Sequence, residues 1–187
     1  MSDTASAGED LVRHPDASAW AKPGFVLWHA TLRWQRSVTA ALKPVGLTHV
    51  QFVLLATVWW LGERSGAAGD GDLPNQARVA ERAGTDVMMT SSVLRTLEAR
   101  GLLRRDADPA DARVRRLAVT GAGRELAVRA VAVVEAADAR YFAPVRDRAG
   151  LLDVLRHLAA GPDAAGPDAA GPQGEIPDGG DPGRSSR

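Results

Sequence analysis

Apolar positions recur with helical spacing through most of the chain, and their interruptions show where each element begins and ends. Proline, glycine and capping residues mark the boundaries. The predicted elements are helices over 25–42, 50–61, 75–83, 86–100, 120–142 and 149–160, strands over 102–105 and 114–119, and a loop over 65–72. The expected fold is therefore mainly α, with one small β-hairpin.

A tight turn joins the two helices in the middle of this series. Asn75 is an expected N-cap of the first helix, Gly84 ends it, and Asp86 is an expected N-cap of the second. Two helices joined in this way and followed by a hairpin form a winged helix-turn-helix. In that arrangement the second helix enters the major groove of DNA.

The second of these helices has two different faces. An apolar face should hold it on the domain and consists of Thr90, Val93, Leu94 and Leu97. The other face carries groups able to meet base edges, namely Val87, Met88, Ser91, Ser92 and Arg95. Met88 and Met89 are equally compatible with the core, since methionine fills irregular gaps.

The hairpin is rich in arginine. Its strands carry Arg104, Arg105, Arg115 and Arg116, and Arg113 lies at its tip. Such side chains suit phosphates or a minor groove.

The net charge of zero, from 23 basic and 23 acidic residues, conceals an uneven distribution. Residues 1–20 carry one arginine and four acids, and residues 161–187 carry two arginines and five acids. Residues 76–116 carry nine arginines and six acids, a net charge of +3. Because binding to a phosphate backbone depends on local charge, the neutral total does not exclude DNA as a partner.

Both ends of the chain lack a pattern that could bury apolar surface. Segment 1–20 and the proline-, glycine- and aspartate-rich tail over 161–187 are therefore predicted to be disordered. The chain has no cysteine, which excludes disulfides and thiolate zinc sites. The N-terminal residues lack a signal peptide, and the longest apolar run is too short to span a bilayer, so we expect a cytoplasmic protein that is not bound to a membrane.

Five segments carry a resemblance to a known family: LTHVQF over 47–52, VAERAG over 79–84, LEARGL over 97–102, DPADAR over 108–113 and LAVT over 117–120. In this order and spacing they resemble the MarR (multiple-antibiotic-resistance regulator) family of winged helix-turn-helix transcriptional regulators. The resemblance covers residues 25–160, and the Asp-Pro-x-Asp-x-Arg pattern is its most specific part.

The resemblance implies a homodimer that binds double-stranded DNA. Helices over 21–43 and 120–160 would form the dimer, and the DNA-binding part would span 47–119. The two copies would read a pseudo-palindromic operator with half-sites about 34 Å apart. The resemblance further implies a repressor released from its operator by a small, often aromatic, ligand.

By the same resemblance the helix from Asp86 to Arg95 reads bases, and Arg113 enters a minor groove with Asp111 bracing its guanidinium. The chain departs from many relatives in lacking a cation at Ser92 or near Val87. Base reading would then depend on hydroxyls and on apolar contacts to thymine methyl groups. The candidate DNA-binding residues are Asn75, Asp86, Val87, Met88, Ser91, Ser92, Arg95, Arg105, Asp111, Arg113 and Arg115.

Tryptophans concentrate on the first two predicted helices, which suggests a site for the ligand. Trp28, His29 and Trp59 are the candidate residues, with indole faces for stacking and an imidazole for a polar group. Packing in the dimer core is the alternative, because large aromatic side chains fill cores more often than they bind ligands.

No catalytic or metal-binding pattern is predicted, and no cofactor is expected. The chain has no phosphate-binding loop and no His-Glu-x-x-His motif, and Asp106, Asp108 and Asp111 fit a hairpin tip better than a metal cage. Two alternatives to a regulator stay open. One is a winged-helix interaction module that does not bind DNA, and the other is a small-molecule-binding protein or enzyme that uses the Trp-rich region.

Overall fold

The computed structural model describes residues 19–68, 73–108, 111 and 113–160. Its helices are α1 (Pro23–Leu42), α2 (His49–Ala68), α3 (Gln76–Ala83), α4 (Val87–Ala99), α5 (Gly121–Tyr141) and α6 (Arg148–Ala160), and its strands are β1 (Leu103–Ala107) and β2 (Arg115–Val119). The prediction of a mainly helical fold with a small β wing is confirmed. The two segments predicted to be disordered lie outside the described residues, apart from Ala19 and Trp20.

The predicted boundaries agree with the structure to within two residues, except at the end of α2. The loop predicted over 65–72 is wrong in its first half, because α2 continues to Ala68. A glycine inside a helix costs only about 1 kcal/mol relative to alanine, and the two alanines that follow Gly66 are the strongest helix formers. Residues 69–72 lie outside the described part of the chain.

The core is built around α2, which is apolar nearly all round and is contacted by α1, α3, α4, α5 and β2. Leu54, Leu55 and Val58 are its most deeply buried large side chains. The neighbouring elements contribute Val38, Leu42, Val79, Leu94, Leu97, Leu117, Ala127 and Ala130. This core fixes the positions of α3, α4 and the hairpin relative to one another.

No single described helix is long and apolar enough to cross a membrane. Pro23–Val45 and His49–Arg64 meet the requirements of length and composition only as a pair, which is bent by 75°.

The two strands form an antiparallel hairpin in which Leu103 lies opposite Val119 and Ala107 lies opposite Arg115. The segment before α3 pairs with the other edge of β2, where the amide of Leu117 donates to the carbonyl oxygen of Pro74 at 2.8 Å. The hairpin is therefore attached to the start of α3 as well as to the end of α4.

Helix α5 begins in close contact with the turn that follows α4. The Thr120 hydroxyl accepts from the Gly123 amide at 3.0 Å and donates to the Gly101 carbonyl at 2.7 Å. A Cβ atom at Gly123 would overlap the carbonyl oxygen of Leu102. The sequence therefore needs glycine at this position of the helix.

Helix α6 belongs to a second compact unit that begins at Pro144. Its first turn is capped by Asp147, whose Oδ1 accepts from the Gly150 amide at 2.9 Å. Leu152, Val154 and Leu158 are exposed apolar side chains on it.

Candidate nucleic-acid interface and adjoining groove

Side-chain caps fix the turn between α3 and α4. Asn75 Oδ1 accepts from the Arg78 amide at 2.9 Å, and Asp86 Oδ1 accepts from the amides of Met88 and Met89 at 2.9 and 3.0 Å. Gly84 ends α3 in the left-handed conformation with φ of 62°. These observations confirm both predicted caps and show that α4 starts at a defined angle to α3.

Helix α4 faces the core on one side and solvent on the other. Thr90, Leu94 and Leu97 are fully buried, as their apolar pattern predicts. Ser91 and Ser92 lie three and four residues after Met88, and Arg95 lies three and four residues after Ser92 and Ser91, so the four side chains share a single outward stripe.

The first turn of α4 is exposed. Val87 is 53% exposed and Met88 is 78% exposed, and Met89 also lies at the surface. The alternative that Met88 and Met89 belong to the core is therefore wrong, because the core side of α4 is filled by Thr90, Leu94 and Leu97.

The arginines of the hairpin differ in their surroundings. Arg113 and Arg115 are exposed. By contrast, Arg105 Nε lies 3.0 Å from Glu98 Oε2 on α4, and Arg116 pairs with Asp108 and donates to the Leu73 carbonyl at 2.9 Å. The structure thus gives Arg105 a partner within the protein.

Two aspartates organise the tip of the hairpin. Asp108 is only 8% exposed, and its Oδ1 accepts from the Asp111 amide at 3.1 Å. Asp111 Oδ1 accepts from the backbone amide of Arg113 at 2.9 Å. The short aspartate side chain thus reaches the main chain two residues on, as in an Asx turn, and a brace of the Arg113 guanidinium by Asp111 stays a prediction.

Asp108 and Arg116 hold the hairpin in shape, and sequence reasoning did not single them out as site residues. The available signal is that Asp108 opens the Asp-Pro-x-Asp-x-Arg pattern. In the structure its Oδ2 pairs with Arg116, so one buried carboxylate joins the tip to β2.

A groove of about 670 Å³ lies between the second half of α1 and the start of α2, and it is open to solvent. Its lining consists of Leu32, Gln35, Arg36, Thr39, Ala40, Lys43, Gly46, Leu47, Thr48 and Gln51. Arg36 and Lys43 give it two cations, whereas the lining contains no acidic residue. Sequence reasoning missed this groove, although Leu32, Arg36, Thr39 and Lys43 fall on one helical stripe.

The predicted ligand residues do not line this groove. Trp28 is 61% exposed and lies one turn before Leu32 on α1. His29 packs against Trp20 and Phe25, with ring centroids 5.2 and 4.4 Å apart. Trp59 stacks on Trp60, and its indole N–H is buried without a hydrogen-bond acceptor among the described residues. A ligand site at these three residues stays a prediction.

The groove is connected to the end of α4 by one side chain. Gln51 Oε1 accepts from the Thr48 amide at 3.1 Å and from Arg100 Nη1 at 3.3 Å. Arg100 is the C-cap residue of α4. A molecule bound in the groove would therefore contact a residue that is hydrogen-bonded to the end of α4.

Polar side chains also join α1 to α5 beside the groove. Trp34 Nε1 donates to Asp138 Oδ1 at 2.6 Å, and the His49 ring packs edge-on against Trp34 with centroids 5.2 Å apart. Burial lowers the pKa of His49 from its ordinary value of 6.5, and the nearby Asp138 carboxylate partly opposes this effect.

The chain is similar to known transcriptional regulators. Residues 70–114 match the family described as "MarR family". An uncharacterised HTH-type transcriptional regulator of Bacillus subtilis, YdcH, is 38% identical over 139 residues, which cover 72% of this chain and 90% of that regulator.

Solved structures of similar proteins include complexes with DNA and with small molecules. CouR from Rhodococcus jostii RHA1 bound to p-coumaroyl-CoA is 30% identical with a TM-score of 0.62, covering 75% of this chain and 94% of that one. The Mycobacterium tuberculosis MarR family protein Rv2887 in complex with DNA is 30% identical with a TM-score of 0.55, covering 72% of this chain and 97% of that one. The same protein in complex with p-aminosalicylic acid is 30% identical with a TM-score of 0.57, covering 74% of this chain and 98% of that one.

Proposed function

Because this chain belongs to the MarR family of transcriptional regulators, we propose that it is a homodimeric repressor that binds a pseudo-palindromic DNA operator and leaves it when a small aromatic acid binds. The observation that carries the proposal is the outward stripe of α4 next to the exposed Arg113 and Arg115 of the hairpin. The solved complex of Rv2887 with DNA supports DNA as the partner. We expect such a regulator to act in the cytoplasm, where bacterial chromosomal DNA lies.

Each candidate residue except Arg105, which pairs with Glu98 on α4, has a place in this interface. Val87, Met88, Ser91, Ser92 and Arg95 face the major groove from α4, the recognition helix. Arg113 reaches the adjacent minor groove, and Arg115 contacts a phosphate. Asn75 and Asp86 use one side-chain oxygen each as a cap, which leaves the Asn75 amide nitrogen to donate to a phosphate. Asp111 acts indirectly, through the backbone of Arg113.

Dimerisation involves the helices outside the DNA-binding part. In a single chain α1 exposes Val26, Leu27 and Trp28, and α6 exposes Leu152, Val154 and Leu158. Exposed apolar clusters of this kind are typical of surfaces that are buried by a partner. We expect a second copy of the chain to bury these surfaces, because an operator with two half-sites requires two DNA-binding parts.

The effector proposal rests on the groove beside α1 and α2. Its two cations suit a carboxylate, and Leu32 and Leu47 supply apolar contacts for a ring. The complexes of CouR with p-coumaroyl-CoA and of Rv2887 with p-aminosalicylic acid support an effector with an aromatic acyl or acid group. Trp28 lies on the same stripe of α1 one turn away, so its fluorescence is a suitable reporter.

Release from DNA would follow from the bond between Gln51 and Arg100. A ligand that displaces the Gln51 side chain removes the acceptor of Arg100 at the C-terminal end of the recognition helix. The ligand shifts the equilibrium between DNA-bound and free protein only as far as it binds one form more tightly than the other. The form it must favour is the one in which the Gln51 side chain is displaced.

The proposal is tested by selection from a library of randomised duplexes with the purified full chain. We expect enrichment of a pseudo-palindrome whose half-sites lie about one helical turn apart, and salicylate should release the enriched duplex. If the intact dimer enriches no sequence even at low salt, an interaction module that does not bind DNA explains the fold better.

A further inference from the structure

The side chains exposed at the first turn of the recognition helix are apolar and carry no charge. No cation precedes Arg95 in α4, and Val87 and Met88 are its most exposed apolar side chains. The Asp86 carboxylate already accepts from the two amides at the start of the helix. An acid in this position disfavours a phosphate there, because both groups are negative.

The major groove limits what such a surface can recognise. Guanine is read by a bidentate arginine or lysine and adenine by asparagine or glutamine. The sequence from Val87 to Leu94 contains none of these four residue types. Thymine carries the C5 methyl group, the one apolar group on the major-groove edge of a base pair.

We propose that Met88, assisted by Val87, contacts thymine methyl groups, so that the bases read by the first turn of α4 are T·A pairs. This inference rests on the proposed function and specifies the operator that it needs. The flexible, unbranched methionine side chain adapts to methyl groups on neighbouring base pairs. Ser91 and Ser92, one turn further on, add hydroxyls that bond to either base of a pair.

Removing the thymine methyl group from DNA tests this contact directly. The duplex enriched from the randomised library is synthesised again with deoxyuridine in place of thymidine, first within the half-sites and then only in the spacer. Deoxyuridine keeps the hydrogen-bonding groups of thymidine and lacks only the methyl group. We expect about a fourfold loss of affinity for each contacted methyl group in the half-sites, as for burial of one such group, and no loss in the spacer.

Variants of the protein connect the effect to Met88. Because Met88 is exposed, Met88→Ala should fold normally, bind the thymidine duplex more weakly and lose less affinity with deoxyuridine than the wild type does. Met89→Ala is the matched control, since it shortens the same side chain in the same turn but outside the stripe. It should keep the full response to deoxyuridine.

The outcomes distinguish this inference from the proposed function. If a specific duplex is enriched and deoxyuridine leaves its affinity unchanged, the methyl contact is wrong and DNA binding stands. If Met88→Ala keeps the full response to deoxyuridine, the contact belongs to another residue and the assignment is overturned. If no duplex is enriched, the inference and the proposed function both fail.

Discussion

Arg105 on β1 and Glu98 on α4 are paired, with Nε and Oε2 3.0 Å apart, and this pair joins the wing to the recognition helix. The Arg105 side chain is partly shielded from solvent, which strengthens the pair compared with one at the open surface. The pair therefore links β1 of the hairpin to α4.

Arg105→Gln should weaken operator binding only modestly, by about 1 kcal/mol or less, because it loosens the wing without removing a phosphate contact. In a plot of the logarithm of affinity against the logarithm of salt concentration, the variant should have the same slope as the wild type. Fluorescence anisotropy across a salt series measures both quantities. A slope that falls by about 0.9 would mean that Arg105 itself contacts a phosphate.

Arg113→Ala should weaken operator binding by about 1–3 kcal/mol, because the exposed guanidinium at the hairpin tip would no longer enter the minor groove. The same anisotropy assay gives the loss. Arg124→Ala is the control, since Arg124 pairs with Glu63 of α2 and is not among the candidate DNA-binding residues. Equal affinities of wild type and Arg113→Ala would count against the role assigned to the wing.

Gln51→Leu should weaken operator binding in the absence of salicylate and leave little further release by salicylate, because the acceptor of Arg100, whose loss is proposed to release the DNA, is already gone. Gln35→Leu is the matched control: it makes the same change in the groove lining at a residue of α1. The measurement is the salicylate concentration that releases half of the bound duplex. Full release from the Gln51→Leu variant would show that the signal takes another route.

Gly123→Ala should lower the free energy of unfolding by about 1–3 kcal/mol, because the new Cβ overlaps the Leu102 carbonyl and forces α5 outward. Urea denaturation measures the change. Gly121→Ala is the control in the same helix turn, where the added Cβ meets no atom within 4 Å. The packing of α5 on this turn would be wrong if both variants behaved alike.

The free energy of unfolding should fall as the pH drops below about 6.5, in part because of His49. Burial lowers the pKa of His49 in the folded protein below its ordinary value of 6.5. The unfolded chain then binds more protons than the folded chain in this range, so the contribution is complete above pH 6.5 and is lost as the pH falls. His49→Gln should reduce this dependence between about pH 7 and 5.

Urea denaturation at several pH values checks the role of His49, with His157→Gln as the control because His157 is exposed on α6. The control should keep the pH dependence of the wild type. An unchanged pH dependence in His49→Gln would show that the imidazole is not held neutral by the fold.

Local signals explain why most of the fold could be predicted from the sequence. Asn75, Asp86 and Thr120 each cap the helix that follows within three residues, so their role is determined by neighbours in sequence. The apolar face of α4 was predictable for the same reason. The end of α2 was not, since helix propensity outweighed the glycine at position 66.

Contacts between distant parts of the chain could not be predicted in this way. Trp34 and Asp138 are 104 residues apart, and Gln51 and Arg100 are 49 apart. No spacing rule brings such pairs together, so the groove and its connection to α4 emerged only from the fold. The ion pair between Arg105 and Glu98 could not be predicted either. The sequence of a basic hairpin does not show which arginines pair with acidic residues of the protein and which face solvent.

A comparison of two duplexes tests whether the protein binds DNA in a sequence-specific way. The affinity of the purified dimer for the enriched duplex is measured beside that for a duplex of the same composition in shuffled order, from about 50 to 200 mM salt. We predict that the enriched duplex binds at least about a thousandfold more tightly and that both affinities fall steeply with salt. Equal affinities for the two duplexes, or no binding at the lowest salt, would show that the protein is not a sequence-specific DNA-binding protein.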